Sequence, residues 1–212
     1  MKIRDDIVHF TSALPENINL VIATKYLDID EMQKLYELGY KNFGENRVES
    51  FLNKYDAFNK KDITWHFIGH LQRNKADKII NKIDYLHSLD SLKLAKLIEE
   101  KRTNPLKVFI EVSINEEENK NGVKVSDLDN FVSEILKYSK IDLVGLMMMS
   151  IKYSDDKSLN NQFSKLVEVK KHLEEKFNIK IPYLSMGMSD DYKEAIKQGA
   201  THIRLGRILF KE

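Results

Sequence analysis

The chain has 212 residues, with 34 Lys and Arg against 33 Asp and Glu, and no cysteine. A formal net charge of +1 excludes a global electrostatic pull toward nucleic acid or anionic membranes, and the lack of cysteine excludes disulfides and thiolate metal sites. Chains of roughly 200–250 residues can close as one α/β barrel, and a hydrophobic fraction of 42% is enough for a large core. The opening Met1-Lys2-Ile3-Arg4-Asp5-Asp6 is charged and lacks the apolar run of a signal peptide. No apolar stretch approaches the ~20 residues of a membrane span. A cytoplasmic protein of one domain over residues 1–212 is expected, with neither a membrane nor a nucleic-acid partner.

In chain order, residues 2–12 read as a helix and Pro15-Glu16-Asn17 as a turn. Val21-Ile22-Ala23-Thr24 runs as a buried strand into Lys25, after which Asp28 or Asp30 can cap a helix over 30–38 that stops at Gly39. Asn42-Phe43-Gly44 is a short strand, followed by a helix over 46–57. A strand over 63–68 ends at Gly69-His70 before a helix over 71–81, and a strand over 85–88 precedes a helix over 91–101 opened by Asp90 or Ser91. Residues 106–112 form the clearest strand; Asn121-Gly122 is a turn, and 126–138 a helix. A strand over 143–149, a helix over 158–177, a strand over 183–185, a helix over 190–198 and a strand over 202–204 complete the chain. Glu116-Glu117-Glu118 reads as a solvated loop, and Met147-Met148-Met149 as core and rim packing.

Eight strands alternating with helices through short loops predict parallel βαβ units closed into a (β/α)8 TIM barrel. In that fold, sites sit at the C-terminal ends of the strands, and phosphate sites recur after strands seven and eight. Lys25 follows the first strand there; partial burial would lower its pKa, and a neutral amine can attack a carbonyl to form a Schiff base. Ser185-Met186-Gly187-Met188-Ser189-Asp190-Asp191 follows the seventh strand, with a glycine, hydroxyls and a helix start. It suits a phosphate group, or is an ordinary loop with Ser189 or Asp190 as cap. After the eighth strand, Gly206 allows close approach of a ligand to the backbone, and Arg207 adds charge.

Asn46 reads either as the cap of the following helix or as a pocket residue. His66 has the opposite parity to Trp65 and Phe67, so it is a core histidine or a ligand contact. Arg73, Lys75 and Lys78 form a solvated basic face or draw anions toward the pocket. No HxxxH or HxH spacing supports a metal site.

Ala23-Thr24-Lys25, Phe43-Gly44-Glu45-Asn46-Arg47-Val48, Trp65-His66-Phe67-Ile68-Gly69, Leu71-Gln72 with Asn74-Lys75, Gly145-Leu146-Met147, the run from Ser185 to Asp191 and Ile203-Arg204-Leu205-Gly206 together resemble the pyridoxal phosphate homeostasis proteins. The resemblance runs in order from about residue 20 to 210. Ser113 and Glu49 depart from the Asn and Gln that many relatives carry. It implies a barrel similar to the N-terminal domain of alanine racemase that binds pyridoxal 5′-phosphate (PLP) as an internal aldimine on Lys25. By the same resemblance Ser189 and the backbone at Gly206 and Arg207 hold the phosphate, in the loop that also contains Met186. Arg204 faces the pyridine nitrogen, and Asn46 and His66 line the pocket. The implied role is control of intracellular PLP as a carrier, with PLP-dependent apoenzymes as partners, and not turnover.

The chemistry agrees. An arginine at the pyridine nitrogen is a poor proton source, and an unprotonated ring is a weaker electron sink. The alternative is an enzyme with weak amino acid racemase activity, which needs a second acid or base on the opposite face. Tyr26 and Tyr183, near rim loops in sequence, read as packing residues. A third reading is an aldolase-type lysine barrel for a sugar phosphate. A monomer is expected, and Arg73, Lys75 and Lys78 offer a secondary PLP site.

Overall fold

Apolar runs at strand positions become fully buried staves in the computed structural model, which describes residues 2–115 and 121–211. The loop expected at Glu116-Glu117-Glu118 lies outside the described residues. The elements are β1 (Lys2–Ile3), α1 (Ile7–Ser12), β2 (Asn19–Ala23), α2 (Ile29–Glu37), β3 (Asn42–Glu45), α3 (Val48–Ala57), β4 (Thr64–Phe67), α4 (Arg73–Ala76), β5 (Tyr85–Leu89) and α5 (Leu92–Lys101). They continue with β6 (Leu106–Ser113), β7 (Val123–Lys124), α6 (Leu128–Ile135), β8 (Ile141–Met147), α7 (Asp156–Phe177), β9 (Tyr183–Ser185), α8 (Tyr192–Lys197), β10 (His202–Leu205) and β11 (Phe210–Lys211).

The ring β2-β3-β4-β5-β6-β8-β9-β10 is parallel throughout and closes through the β10–β2 and β5–β6 pairings, giving the expected (β/α)8 barrel. Local signals set the helix starts. Asp28 accepts the Glu31 amide at 2.9 Å, Ser91 the Leu94 amide at 3.3 Å and Asp155 the Ser158 amide at 2.7 Å. Gly39, at φ +94°, ends α2 in the left-handed region.

Strand parity sorts the side chains. Trp65 and Phe67 face the helices, where Trp65 meets Phe51 of α3 edge-on at 5.3 Å. Burying side chains of this size contributes about 1.5–3 kcal/mol each. His66 faces the barrel interior, stacked on Tyr85 at 4.7 Å. His87 stacks on Phe109 at 4.3 Å and Tyr183 meets His202 at 4.9 Å, so aromatic rings plug the lower barrel. Gly145 makes room for this plug, because a Cβ there would lie 2.4 Å from the Phe109 ring. Tyr183 thus belongs to the plug and not to the rim.

Three expectations are corrected. Lys2 and Ile3 are not helical; they pair antiparallel with Phe210 and Lys211, a contact across the whole chain that no local pattern reveals. The fourth helix stops at Ala76 instead of residue 81, and the backbone tightens, with the Ile79 amide donating to the Ala76 carbonyl at 3.0 Å and Lys82 to Ile79 at 2.8 Å. Ile79, Ile80 and Ile83 are all buried there, and β-branched side chains crowd a regular helical turn. Strand β8 ends at Met147, leaving Met149 46% exposed on the rim. Among the described residues no α-helix follows β10, only a single 3₁₀ turn over Arg207–Leu209. Instead α1 fills the gap, with Phe10 6.1 Å from Tyr192 of α8 and Thr11 Oγ1 2.6 Å from the Tyr40 hydroxyl beyond α2.

Candidate functional site

A cavity of about 900 Å³ opens at the C-terminal ends of the strands. Its lining includes Lys25, Asn46, Ser189, Arg204, Gly206 and Arg207, so six of the eight expected site residues meet in one place. A groove of about 510 Å³ between α1 and α8 lies on the outside of the barrel, away from the strand ends.

Lys25 leaves the barrel two residues after β2 ends. It is exposed, not partly buried as expected, because it projects from the rim with Nζ 4.5 Å from the Tyr26 ring centre. What holds it in place is the residue before it. Thr24 is fully buried; its amide donates to the Gly44 carbonyl at 3.0 Å and its hydroxyl to Glu45 Oε1 at 2.7 Å. Lys54 Nζ of α3 reaches in and donates to both the Thr24 carbonyl and Glu45 Oε1, each at 2.5 Å. Glu45 and Lys54 escaped the sequence reading. The available signal was spacing: Lys54 stands three residues after Phe51 and four before Phe58, on the buried stripe of its helix.

On the far wall, the Ser189 hydroxyl oxygen accepts from the backbone amides of Gly206 at 3.3 Å and Ile208 at 3.4 Å. Neither Ser189 nor Asp190 caps α8. Asp191 occupies the cap position, accepts the Met188 amide at 2.6 Å, and takes the Ser150 hydroxyl with its other oxygen. Gly187 sits at φ +94°, where an added Cβ would lie 2.7 Å from that of Ala195. Arg207 pairs with Asp190 at 2.5 Å in solvent, where screening keeps the pair weak.

Arg204 lines the cavity while being 5% exposed. Its Nη1 donates to Ser185 Oγ at 2.6 Å and its Nη2 to the Met148 carbonyl at 3.0 Å. Burial lowers the guanidinium to about 10, opposed by Asp191 and Glu111, so it stays charged at neutral pH. Glu111 of β6, also missed in the sequence, lines the cavity and is buried; that burial, with Asp90 nearby, raises its carboxyl to about 7 against the pull of Arg204 and His70. At the rim, His70 Nδ1 lies 2.9 Å from Asp90 Oδ2.

Asn46 does not cap α3, whose cap position is Arg47. It lines the cavity, and its Oδ1 is buried with no hydrogen-bond partner among the described residues. Gly69 lets β4 pass this residue, since a Cβ would come within 2.2 Å of the Asn46 carbonyl oxygen.

The other two expected residues are elsewhere. His66 lies inside the barrel and not in the cavity lining, with Nε2 3.0 Å from Asn42 Oδ1 and Nδ1 2.9 Å from His87 Nε2. Met186 packs fully buried in the main hydrophobic core, because Ser185 before it points its hydroxyl into the barrel and strand parity turns the next side chain the other way. Arg73, Lys75 and Lys78 stand outside the cavity lining, and Lys75 pairs with Glu49 at 2.8 Å. Among the described residues no group of three His, Cys, Asp or Glu could hold a metal ion. The cavity therefore combines a primary amine, a cradle of hydroxyl and amide groups, and a fixed cation on its floor.

The model of the alanine racemase N-terminal domain matches residues 9–212. A pyridoxal phosphate homeostasis protein from Aquifex aeolicus is 37% identical over 196 residues, covering 91% of this chain and 86% of that protein. One from Escherichia coli K12 is 30% identical over 208 residues, covering 92% and 86%. Among solved structures, PipY of Synechococcus elongatus without PLP superposes with a TM-score of 0.92 at 28% identity, covering 99% of this chain and 100% of that one. PipY with PLP bound gives 0.88 at 27% identity, covering 98% and 99%. An alanine racemase from Clostridium difficile, at 15% identity and a TM-score of 0.80, covers all of this chain but 58% of its own length, and shares the fold.

Proposed function

The chain belongs to the pyridoxal phosphate homeostasis protein family, and from that membership we propose that it binds PLP in the rim cavity and serves the intracellular supply of the cofactor. The observation that carries this reading is the meeting of Lys25, the Ser189–Gly206 cradle and Arg204 in one cavity. The donor set fits the cofactor: backbone amides and a hydroxyl for a phosphate, a guanidinium for a ring nitrogen, an amine for an aldehyde, and the unpaired Asn46 oxygen for a polar substituent. Bound PLP supplies an aldehyde that condenses reversibly with an amine, and a ring able to withdraw electrons.

In this reading Lys25 is the covalent anchor, and Ser189 with the backbone of Gly206 and Arg207 holds the phosphate. Arg204 donates to the ring nitrogen. It keeps its proton at neutral pH, which favours storage over carbanion chemistry. We also propose a cytoplasmic monomer that passes PLP to PLP-dependent apoenzymes. Among the described residues no helix is long and apolar enough to cross a membrane.

A second reading, weak amino acid racemisation, has one observation in its favour. Glu111, raised to about 7, and His70, paired with Asp90, both line the cavity and could move protons.

The test is an absorption spectrum after adding PLP and removing the excess, for wild type and Lys25→Ala, with borohydride reduction and peptide mapping. A retained yellow band, fixed by reduction onto Lys25 and missing in the variant, is expected. A colourless wild type overturns the proposal. Racemisation lost on Lys25→Ala would favour the second reading.

A further inference from the structure

Beneath the cavity a chain of hydrogen bonds crosses the barrel from β3 to β10. Asn42 Oδ1 lies 3.0 Å from His66 Nε2, His66 Nδ1 lies 2.9 Å from His87 Nε2, and His87 Nδ1 lies 2.8 Å from Ser185 Oγ. Arg204 Nη1 then donates to Ser185 Oγ at 2.6 Å. His66, His87, Ser185 and Arg204 are each at most 5% exposed.

The polarity of the chain follows from its ends. A guanidinium can only donate, so Ser185 Oγ accepts from Arg204, and the single hydroxyl hydrogen goes to His87 Nδ1. His87 then carries its hydrogen on Nε2 and donates to His66 Nδ1, and His66 donates from Nε2 to the Asn42 oxygen. The reverse polarity would leave the buried Ser185 hydrogen without an acceptor among the described residues, an arrangement that costs about 1–3 kcal/mol.

We infer that Asn42, His66, His87 and Ser185 form a one-directional relay of neutral groups that fixes the Arg204 guanidinium beneath the cavity, with Ser185 and His87 as positioning residues for the cofactor's ring partner. The inference deepens the PLP reading and rests on it. It makes use of the one expected site residue, His66, that lies inside the barrel below the cavity. Burial, with His202 and Lys107 nearby, lowers His66 to about 3, and burial with His66, Arg204 and His202 holds His87 well below the usual range. Tyr85 and Phe109 cover the faces of the two rings.

The experiment has two arms. Long-range proton–nitrogen NMR on wild type without PLP reads the imidazole tautomers and the Arg204 side chain. Both His66 and His87 are expected to carry hydrogen on Nε2 and to stay neutral from pH 8 to 5, and Arg204 to show separate Nη signals from hindered rotation. The second arm measures PLP dissociation constants and melting temperatures for wild type, Ser185→Ala and Ser185→Thr. Ser185→Ala is expected to merge the Arg204 signals and raise the PLP dissociation constant about tenfold, while Ser185→Thr restores both. A hydrogen on Nδ1 or a titration of either ring in that range overturns the relay, even if Ser185→Ala fails to fold. An unchanged dissociation constant in a folded Ser185→Ala protein overturns the positioning role. A wild type that binds no PLP defeats the underlying proposal, and shows itself in the second arm alone.

Discussion

Behind Lys25 the barrel wall holds a charged pair, Lys54 with Glu45, whereas the acceptors bonded to Arg204 among the described residues are both neutral, Ser185 and the Met148 carbonyl. Both networks are buried, so both act where the local dielectric is low and hydrogen bonds are strong. They do different work. The charged pair is compensated within itself; it ties the Thr24 carbonyl and hydroxyl into the wall and leaves Lys25 beyond it exposed at the cavity rim. Among the described residues no carboxylate is hydrogen-bonded to Arg204, so its positive charge is held in position and only partly offset by Asp191 and Glu111 nearby, and it remains available to an acceptor in the cavity. One network fixes backbone; the other presents charge.

Acid should break the neutral side most strongly. Histidines of the unfolded chain bind protons near 6.5, whereas His66 and His202 do so only near 3 and 4 when folded, and His87 lies well below its ordinary value. In that window the unfolded state binds more protons, so stability falls as pH drops, by about 1.4 kcal/mol per pH unit for each ring. Glu111 opposes this. Its folded carboxyl stays protonated up to about 7 while the unfolded one ionises near 4.5, so its contribution rises as pH falls. Urea unfolding should show a net loss of stability, on the order of a few kcal/mol, from pH 6.5 to 4.5. A flat profile would mean that the three rings are already solvated.

Lys54→Met attacks the charged side, leaving Glu45 buried without its cation. It should cost about 3 kcal/mol in urea or thermal unfolding, and pairing it with Glu45→Leu should recover most of that loss. A single variant within a few tenths of wild type would show that the pair is dispensable. Gly145→Ala should have the smallest effect, about 2 kcal/mol, since its methyl would press on the Phe109 ring and the Tyr183 carbonyl beneath both networks. Calorimetry checks it, and an unchanged melting temperature would mean that the aromatic plug repacks freely.

Much of the barrel was readable from residues close together in the chain. Asp28 and Ser91 cap the helices expected to start near them, and the apolar runs at 20–24 and 106–112 lie within β2 and β6 or one residue beyond. The rim residues Lys25, Ser189, Gly206 and Arg207 do line one cavity, with Arg204 on its floor, because strand ends in a closed parallel barrel converge. Less was readable where an assignment depends on a partner distant in sequence. Asn46 could have been a cap or a cavity residue, and the choice fell to Arg47 taking the cap position. His66 had a known parity but no visible partner, and His87 had no signal at all. The strand formed by Lys2 and Ile3 depends on a segment at the other end of the chain.

The sequence by itself determined the alternation of strands and helices, caps such as Asp28 and Ser91, and the rim positions of the chemically capable side chains, since these follow from periodicity and from contacts within a few residues. Only the tertiary structure decided which side chains face the cavity and which face the core, and which polar groups pair. Those outcomes rest on closure of the ring, which brings His87 to Ser185 across 98 positions and Lys54 to Thr24 across 30. Bonds of that kind form between faces whose facing is settled only when the last strand meets the first.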